Sequence, residues 1–206
     1  MKELNKKLTK TGKNTIEGMN NTQLTILLKP IFDYWYYKSK LAEPFLKIGT
    51  RKQKKELKVL RTEYSTGIKS FKNIHSIVNE KLKWKADKFL KGGDIISPPE
   101  RVWKNGGDDC DSLPSVIHYI TGNTILLNNK RYRFQHYNVL LGQESHVISV
   151  WGSVLSESML ILSNLEYEEM TPEYFYNEYI KQFWKIDVKL DKNLKFISAS
   201  KFINKK

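Results

Sequence analysis

A single cysteine occurs in the 206 residues, within Asn105-Gly106-Gly107-Asp108-Asp109-Cys110-Asp111-Ser112. An apolar series follows it: Leu113, Val116, Ile117 and Ile120. The glycine pair permits a turn free of φ restriction, and Asp108 or Asp109 suits the N-cap of the next segment. This pattern predicts Cys110 in the first turn of a helix, where unpaired N–H groups and the helix dipole favour a thiolate. A free thiol of pKa ~8.5 is only a few per cent ionised near neutrality, so a nucleophilic Cys110 needs a base. His146 lies 36 residues later, in the alternating stretch Ser145-His146-Val147-Ile148-Ser149-Val150. A second strand-like run over 159–165 ends in Ser163 and Asn164, and either side chain could hold the imidazole. Adjacent strand residues face opposite ways, so only one of the two can point at His146. The three acids around Cys110 oppose thiolate formation unless they cap backbone groups or turn away.

The elements that must position these residues read as α+β. Residues 1–20 are polar and form a loose arm in this reading. Apolar and aromatic residues then rise over 22–46 as a packing face, with Pro30 bending or dividing a helix. A basic helix is expected over 51–64, and another over 68–82 from the spacing of Ile68, Phe71, Ile74, Val78 and Leu82. Gly92-Gly93-Asp94 and Ser97-Pro98-Pro99 mark a long irregular loop into the cysteine stretch. A helix over about 111–120 follows, stopped at Gly122-Asn123. Strands are expected over 124–127, 132–141, 146–151 and 159–165, joined as antiparallel hairpins. Thr171-Pro172-Glu173 opens a helix to about 181, and short strands near 183–190 and 196–198 close the sheet. The expected division is a basic helical extension over 1–60 and a domain over 61–206.

Net charge is unevenly placed. Residues 1–91 hold 22 Lys/Arg and 8 Asp/Glu, a net of +14, whereas the remainder hold 13 and 14, a net of −1. A basic half of this kind suits nucleic acid or an acidic partner, although a solvated lysine-rich surface explains it as simply and no nucleic-acid-binding motif is present. One cysteine excludes an intramolecular disulfide and a cysteine-based zinc cluster. Without an apolar run long enough for a signal peptide or a membrane span, a cytoplasmic protein with no membrane contact is expected. The abundance of Asn, Lys and Ile suits a small bacterial or phage genome.

In motif and order, residues 65–182 resemble the transglutaminase-like cysteine peptidases of the papain-like group. Ser97-Pro98-Pro99-Glu100 followed by Gly107-Asp108-Asp109-Cys110-Asp111-Ser112 looks like the family's "SP-x-E … G-D-C-(D/E)-D" approach to its nucleophile. Ser145-His146-Val147-Ile148 looks like its histidine strand, and Leu162-Ser163-Asn164-Leu165 like its "L-D-N-L" ending. The resemblance implies a papain/transglutaminase-like fold, with N-terminal helices and a cysteine-bearing helix packed on an antiparallel sheet. Cys110 would be the nucleophile, His146 the general base and acid, and Asn164 or Ser163 the third group. Ser163 stands where the bacterial branch has aspartate, and a hydroxyl cannot stabilise imidazolium with a charge. Asp109 and Asp111 would be structural partners in the turn. The Cys110 backbone N–H and a tryptophan, Trp84 ahead of Trp103, would stabilise the oxyanion. His75, His118 and His136 are placed as ordinary histidines.

The chemistry expected from this set is hydrolysis of a peptide or isopeptide amide through an acyl-thioester. Transfer to an amine would use the same intermediate. No metal or organic cofactor is needed, and no calcium-loop spacing occurs. The alternative is a non-catalytic module of the same fold that binds nucleic acid or an assembly partner through its basic half.

Overall fold

Asn20 opens the first long helix through a reciprocal cap: the Gln23 N–H donates to Asn20 Oδ1 at 2.9 Å, and the Asn20 N–H donates to Gln23 Oε1 at 2.8 Å. The computed structural model describes residues 13–85, 95–142, 145–177, 179, 183 and 186–201. In chain order the elements are α1 (Lys13–Gly18), α2 (Asn21–Leu46), α3 (Arg51–Ser65), α4 (Phe71–Lys81) and β1 (Lys83–Trp84). Next come α5 (Pro99–Asn105), β2 (Gly107–Asp108), α6 (Leu113–Thr121), β3 (Thr124–Leu127) and β4 (Lys130–Leu140). The chain closes with β5 (His146–Ser153), β6 (Met159–Ser163), β7 (Glu166–Met170), α7 (Pro172–Asn177), β8 (Ile186–Leu190) and β9 (Phe196–Lys201).

The larger sheet has seven strands in the order β7-β6-β5-β4-β8-β9, with β3 against the first part of β4, and every pair is antiparallel. The protein is therefore α+β with an antiparallel sheet, as its strand spacing and hairpin turns predict. Helices supply two apolar clusters. One joins Leu24, Leu28, Phe32 and Trp35 of α2 to Val139, Val147, Val188 and Cys110. The other joins α3 and α4 to α6, Tyr132 and Trp151. A third cluster, on Leu140, Ile148, Val150, Ile161 and Phe175, covers the opposite face of the sheet.

Several expectations are corrected. The division at residue 60 falls inside α3, and α2 packs in the cluster that contains Cys110, so residues 13–60 belong to the main body. Part of the supposed loose arm is α1, whose Ile16 is fully buried; residues 1–12 lie outside the described residues. Pro30 does not divide α2, which runs unbroken through Pro30 and Pro44. Pro30 is exposed, and Ile26, four residues back, is exposed as well, so the carbonyl that lacks an N–H partner faces water. The long loop before the cysteine contains α5, with Pro98 at the N-cap and Pro99 in the first turn. Strand β7 (sequence Glu-Tyr-Glu-Glu-Met) was not expected, because its residues are largely charged; as an edge strand it can present them to solvent.

Candidate active site

The cysteine turn is anchored from both sides. Ahead of it, β1 and β2 form a two-residue parallel pair that sets Lys83 opposite Gly107 and Trp84 opposite Asp108. Gly107 makes this approach feasible: at φ 137° a Cβ there would lie 1.8 Å from the Lys83 carbonyl oxygen. Trp84 therefore stands beside Asp108, two residues before Cys110, and is 57% exposed. Trp103 is 3% exposed, donates its indole N–H to Glu56 Oε2 at 2.8 Å, and has the Lys81 ammonium 4.5 Å from its ring centre. Of the two tryptophans considered for the oxyanion, only Trp84 lies at the turn's surface; Trp103 is a core residue.

Within the turn the acids serve the backbone. Asp108 Oδ1 accepts the Asp109 N–H at 3.0 Å, and Asp109 Oδ1 accepts the Asp111 N–H at 3.3 Å. The Asp109 carbonyl accepts from Leu113 N–H at 3.1 Å. Ser112 Oγ donates to Asp111 Oδ1 at 2.7 Å and accepts the Ser97 N–H at 2.9 Å. Ser97 of the Ser-Pro-Pro-Glu run is thus tied to the residue pair after the cysteine, a link that sequence reading did not supply. Asp109 and Asp111 are both buried.

Cys110 does not lie in the first turn of α6. That helix begins at Leu113 with Ser112 as N-cap, and neither Asp108 nor Asp109 caps it. Pro114 has no N–H to return to the Cys110 carbonyl, so the regular ladder cannot include the cysteine. The thiol is 8% exposed and its pKa is pushed up to about 12. Burial is the main cause, the Asp111 carboxylate adds to it, a hydrogen bond from the Val147 backbone opposes, and Asp109 raises it further. The resting thiol is therefore protonated, opposite to the thiolate expected at a helix start.

His146 opens β5 opposite Leu140, and Ser163 lies opposite Ile148. Directly paired residues share a face and alternate residues return to it, so His146 and Ser163 project from the same face. His146 Nε2 is 2.7 Å from Ser163 Oγ. Ser163 is thus the third group that reaches the imidazole. Asn164 does not: it is the first residue of the β6–β7 turn at φ 53°, and its buried Oδ1 has no hydrogen-bond partner among the described residues. The His146 pKa is lowered by burial, with the Asp109 carboxylate acting in the other direction, so the ring is neutral near pH 7. Tyr179 is hydrogen-bonded to Ser163 in turn.

Cys110 and His146 converge on the first two residues of β5 without touching. The thiol packs in the cluster of Val147, whereas His146 projects toward the face of Ile148. Among the described residues no hydrogen bond joins the thiol to the ring.

The other histidines are engaged elsewhere. His75 Nε2 is 2.7 Å from the Leu165 carbonyl, pinning the turn that follows Ser163. His118 Nδ1 is 2.9 Å from Tyr137 Oη, and its Nε2 is 3.1 Å from Asn123 Oδ1. His136 is lowered to about 4 by burial and by Lys189. Among the described residues no group of three His, Cys, Asp or Glu side chains is placed to hold a metal ion, and no helix is long and apolar enough to cross a membrane. Comparison with models of protein families, with curated proteins and with solved structures gave no match.

Proposed function

We propose that the protein is a thiol hydrolase of the transglutaminase-like, papain-like kind, acting on a peptide or isopeptide amide through Cys110, His146 and Ser163. The observation that supports this reading most is the His146–Ser163 pair at the head of β5, one residue from the backbone group that faces the Cys110 thiol. Both reacting groups rest neutral. His146 takes the Cys110 proton as sulfur attacks the amide carbon, then gives it to the departing amine as the acyl-thioester forms. Water attack on the thioester releases the acid and restores the thiol. The Cys110 N–H and the exposed Trp84 indole N–H are the groups available for the oxyanion. The neutral pair needs a rearrangement of the cysteine turn around the head of β5 when substrate binds, because at rest the thiol lies on the Val147 side of that strand and the His146 ring on the Ile148 side.

A second reading, a non-catalytic module that binds a partner, is favoured by the raised thiol pKa and by the absence of a Cys110–His146 hydrogen bond among the described residues. Alkylation of Cys110 by iodoacetamide across pH 5–10, in the intact chain and in His146→Ala, separates them. The hydrolase reading expects reaction near pH 7 well above that of a thiol with pKa about 12, reduced at least tenfold in the variant. A rate that rises tenfold per pH unit up to pH 10 in both proteins would favour the binding module.

A further inference from the structure

The surface beside the cysteine turn is strongly cationic. Lys83 of β1 and Lys85 just after it flank Trp84, and all three are exposed. The Lys85 ammonium donates to the Asn105 carbonyl at the end of α5. Lys81 closes α4 and pairs with Glu56 of α3 at 3.1 Å. Lys52, one turn before Glu56, adds to the field there. On α5, Lys104 reaches the α2–α3 turn, where a Cβ on Gly49 would meet its ammonium at 2.9 Å. Lys81 and Lys52 thus act on one engaged carboxylate, Glu56, and Lys83, Lys85 and Lys104 lie on the adjoining segments. Among the described residues Lys52, Lys83, Lys85 and Lys104 form no ion pair.

We propose that this rim, Lys52, Lys81, Lys83, Lys85 and Lys104, docks an acidic stretch of the polypeptide whose amide bond is presented to Cys110. The inference rests on the thiol-hydrolase reading for its last step and on charge complementarity for its first. Strand alternation puts Lys83 and Lys85 on one face of this segment and Trp84 on the other, with Asp108 paired opposite Trp84. A chain crossing the end of β1 would therefore have the cations on one side and, beside the nucleophile's turn, the indole on the other. The carboxylates of that turn are buried and bonded to backbone or to Ser112, so they repel an incoming acidic chain less than their number suggests. A nucleic acid fits less well. Single strands are gripped by successive stacking rings, and among the described residues of this rim Trp84 is the one exposed ring; lysines also lack the forked geometry that reads bases.

The test is fluorescence anisotropy of a labelled twelve-residue glutamate peptide with the intact chain. A labelled deoxythymidine oligonucleotide of equal charge serves as the rival probe. The expected result is peptide binding that weakens at least tenfold between 50 and 300 mM salt, as charge–charge contacts do. It should also weaken at least tenfold in Lys83→Glu/Lys85→Gln and in Lys52→Glu/Lys104→Glu, each checked for an unchanged circular dichroism spectrum, and stay unchanged in Cys110→Ala. Binding that ignores both double variants, no binding at all, or tenfold tighter binding of the oligonucleotide would overturn the proposal. The two readings fail separately. Loss of His146-dependent alkylation with intact peptide binding removes the hydrolase and leaves the docking surface, whereas a reactive Cys110 without peptide binding removes the docking surface alone.

Discussion

At the scale of single residues, burying Cys110 protonated links stability to alkaline pH. In the unfolded chain a thiol titrates near ~8.5, whereas in the fold it titrates near about 12. Between those values the unfolded state has lost a proton that the native state keeps, so stability falls as pH rises. Urea unfolding between pH 8 and 10 should show this slope in the intact chain and a flatter one in Cys110→Ala; equal slopes would mean the thiol is not buried in this way. The limit of pH 10 matters because Tyr137, raised by burial, adds the same sign of slope above it. For the third group, Ser163→Ala should slow His146-dependent alkylation about tenfold, the cost of one hydrogen bond of about 1.4 kcal/mol. Asn164→Gly should leave the rate within about twofold, since glycine readily takes a φ of 53°. The lone cysteine, its acid-rich turn and the later histidine were legible in the sequence because residue types alone reveal them. The choice of Ser163 over Asn164 was not, since it depends on which residue ends β6 and which begins its turn.

At the scale of elements, the two-residue pairing of β1 with β2 positions the cysteine turn and the exposed indole together. Gly107→Ala would force a Cβ into the Lys83 carbonyl at φ 137°, and it should destabilise the fold by about 3 kcal/mol, measured from its urea midpoint. Gly18→Ala has open space around the added carbon and serves as the control. The Gly106-Gly107 turn was readable in the sequence, but its reason was not: the clash is with a residue 24 positions away. Long periodic helices and the alternating strands β4, β5 and β6 were likewise readable. The edge strand β7 was hidden by its glutamates, and α5 by the prolines that in fact start it.

At the scale of the whole molecule, the basic half and the catalytic candidates are not separable pieces. Leu24, Leu28, Phe32 and Trp35 share a buried cluster with Cys110, and Leu57 and Leu60 another with α6. A chain lacking residues 1–60 should therefore fail to unfold cooperatively by circular dichroism, where an independent extension would leave the remainder with an intact transition. The sequence's charge asymmetry was sound, but composition reports which residues are polar and not where the apolar ones pack. The lone buried thiol also turns the protein into a recorder of its own motions. A bulky disulfide reagent can reach Cys110 only when the turn over 107–113 opens, so its reaction rate under native conditions counts those openings. If that rate is insensitive to low urea, the turn breathes alone, with β1 and α6 still in place. If it climbs with the full urea dependence of unfolding, the turn, the α2 face and the sheet let go as one cooperative unit.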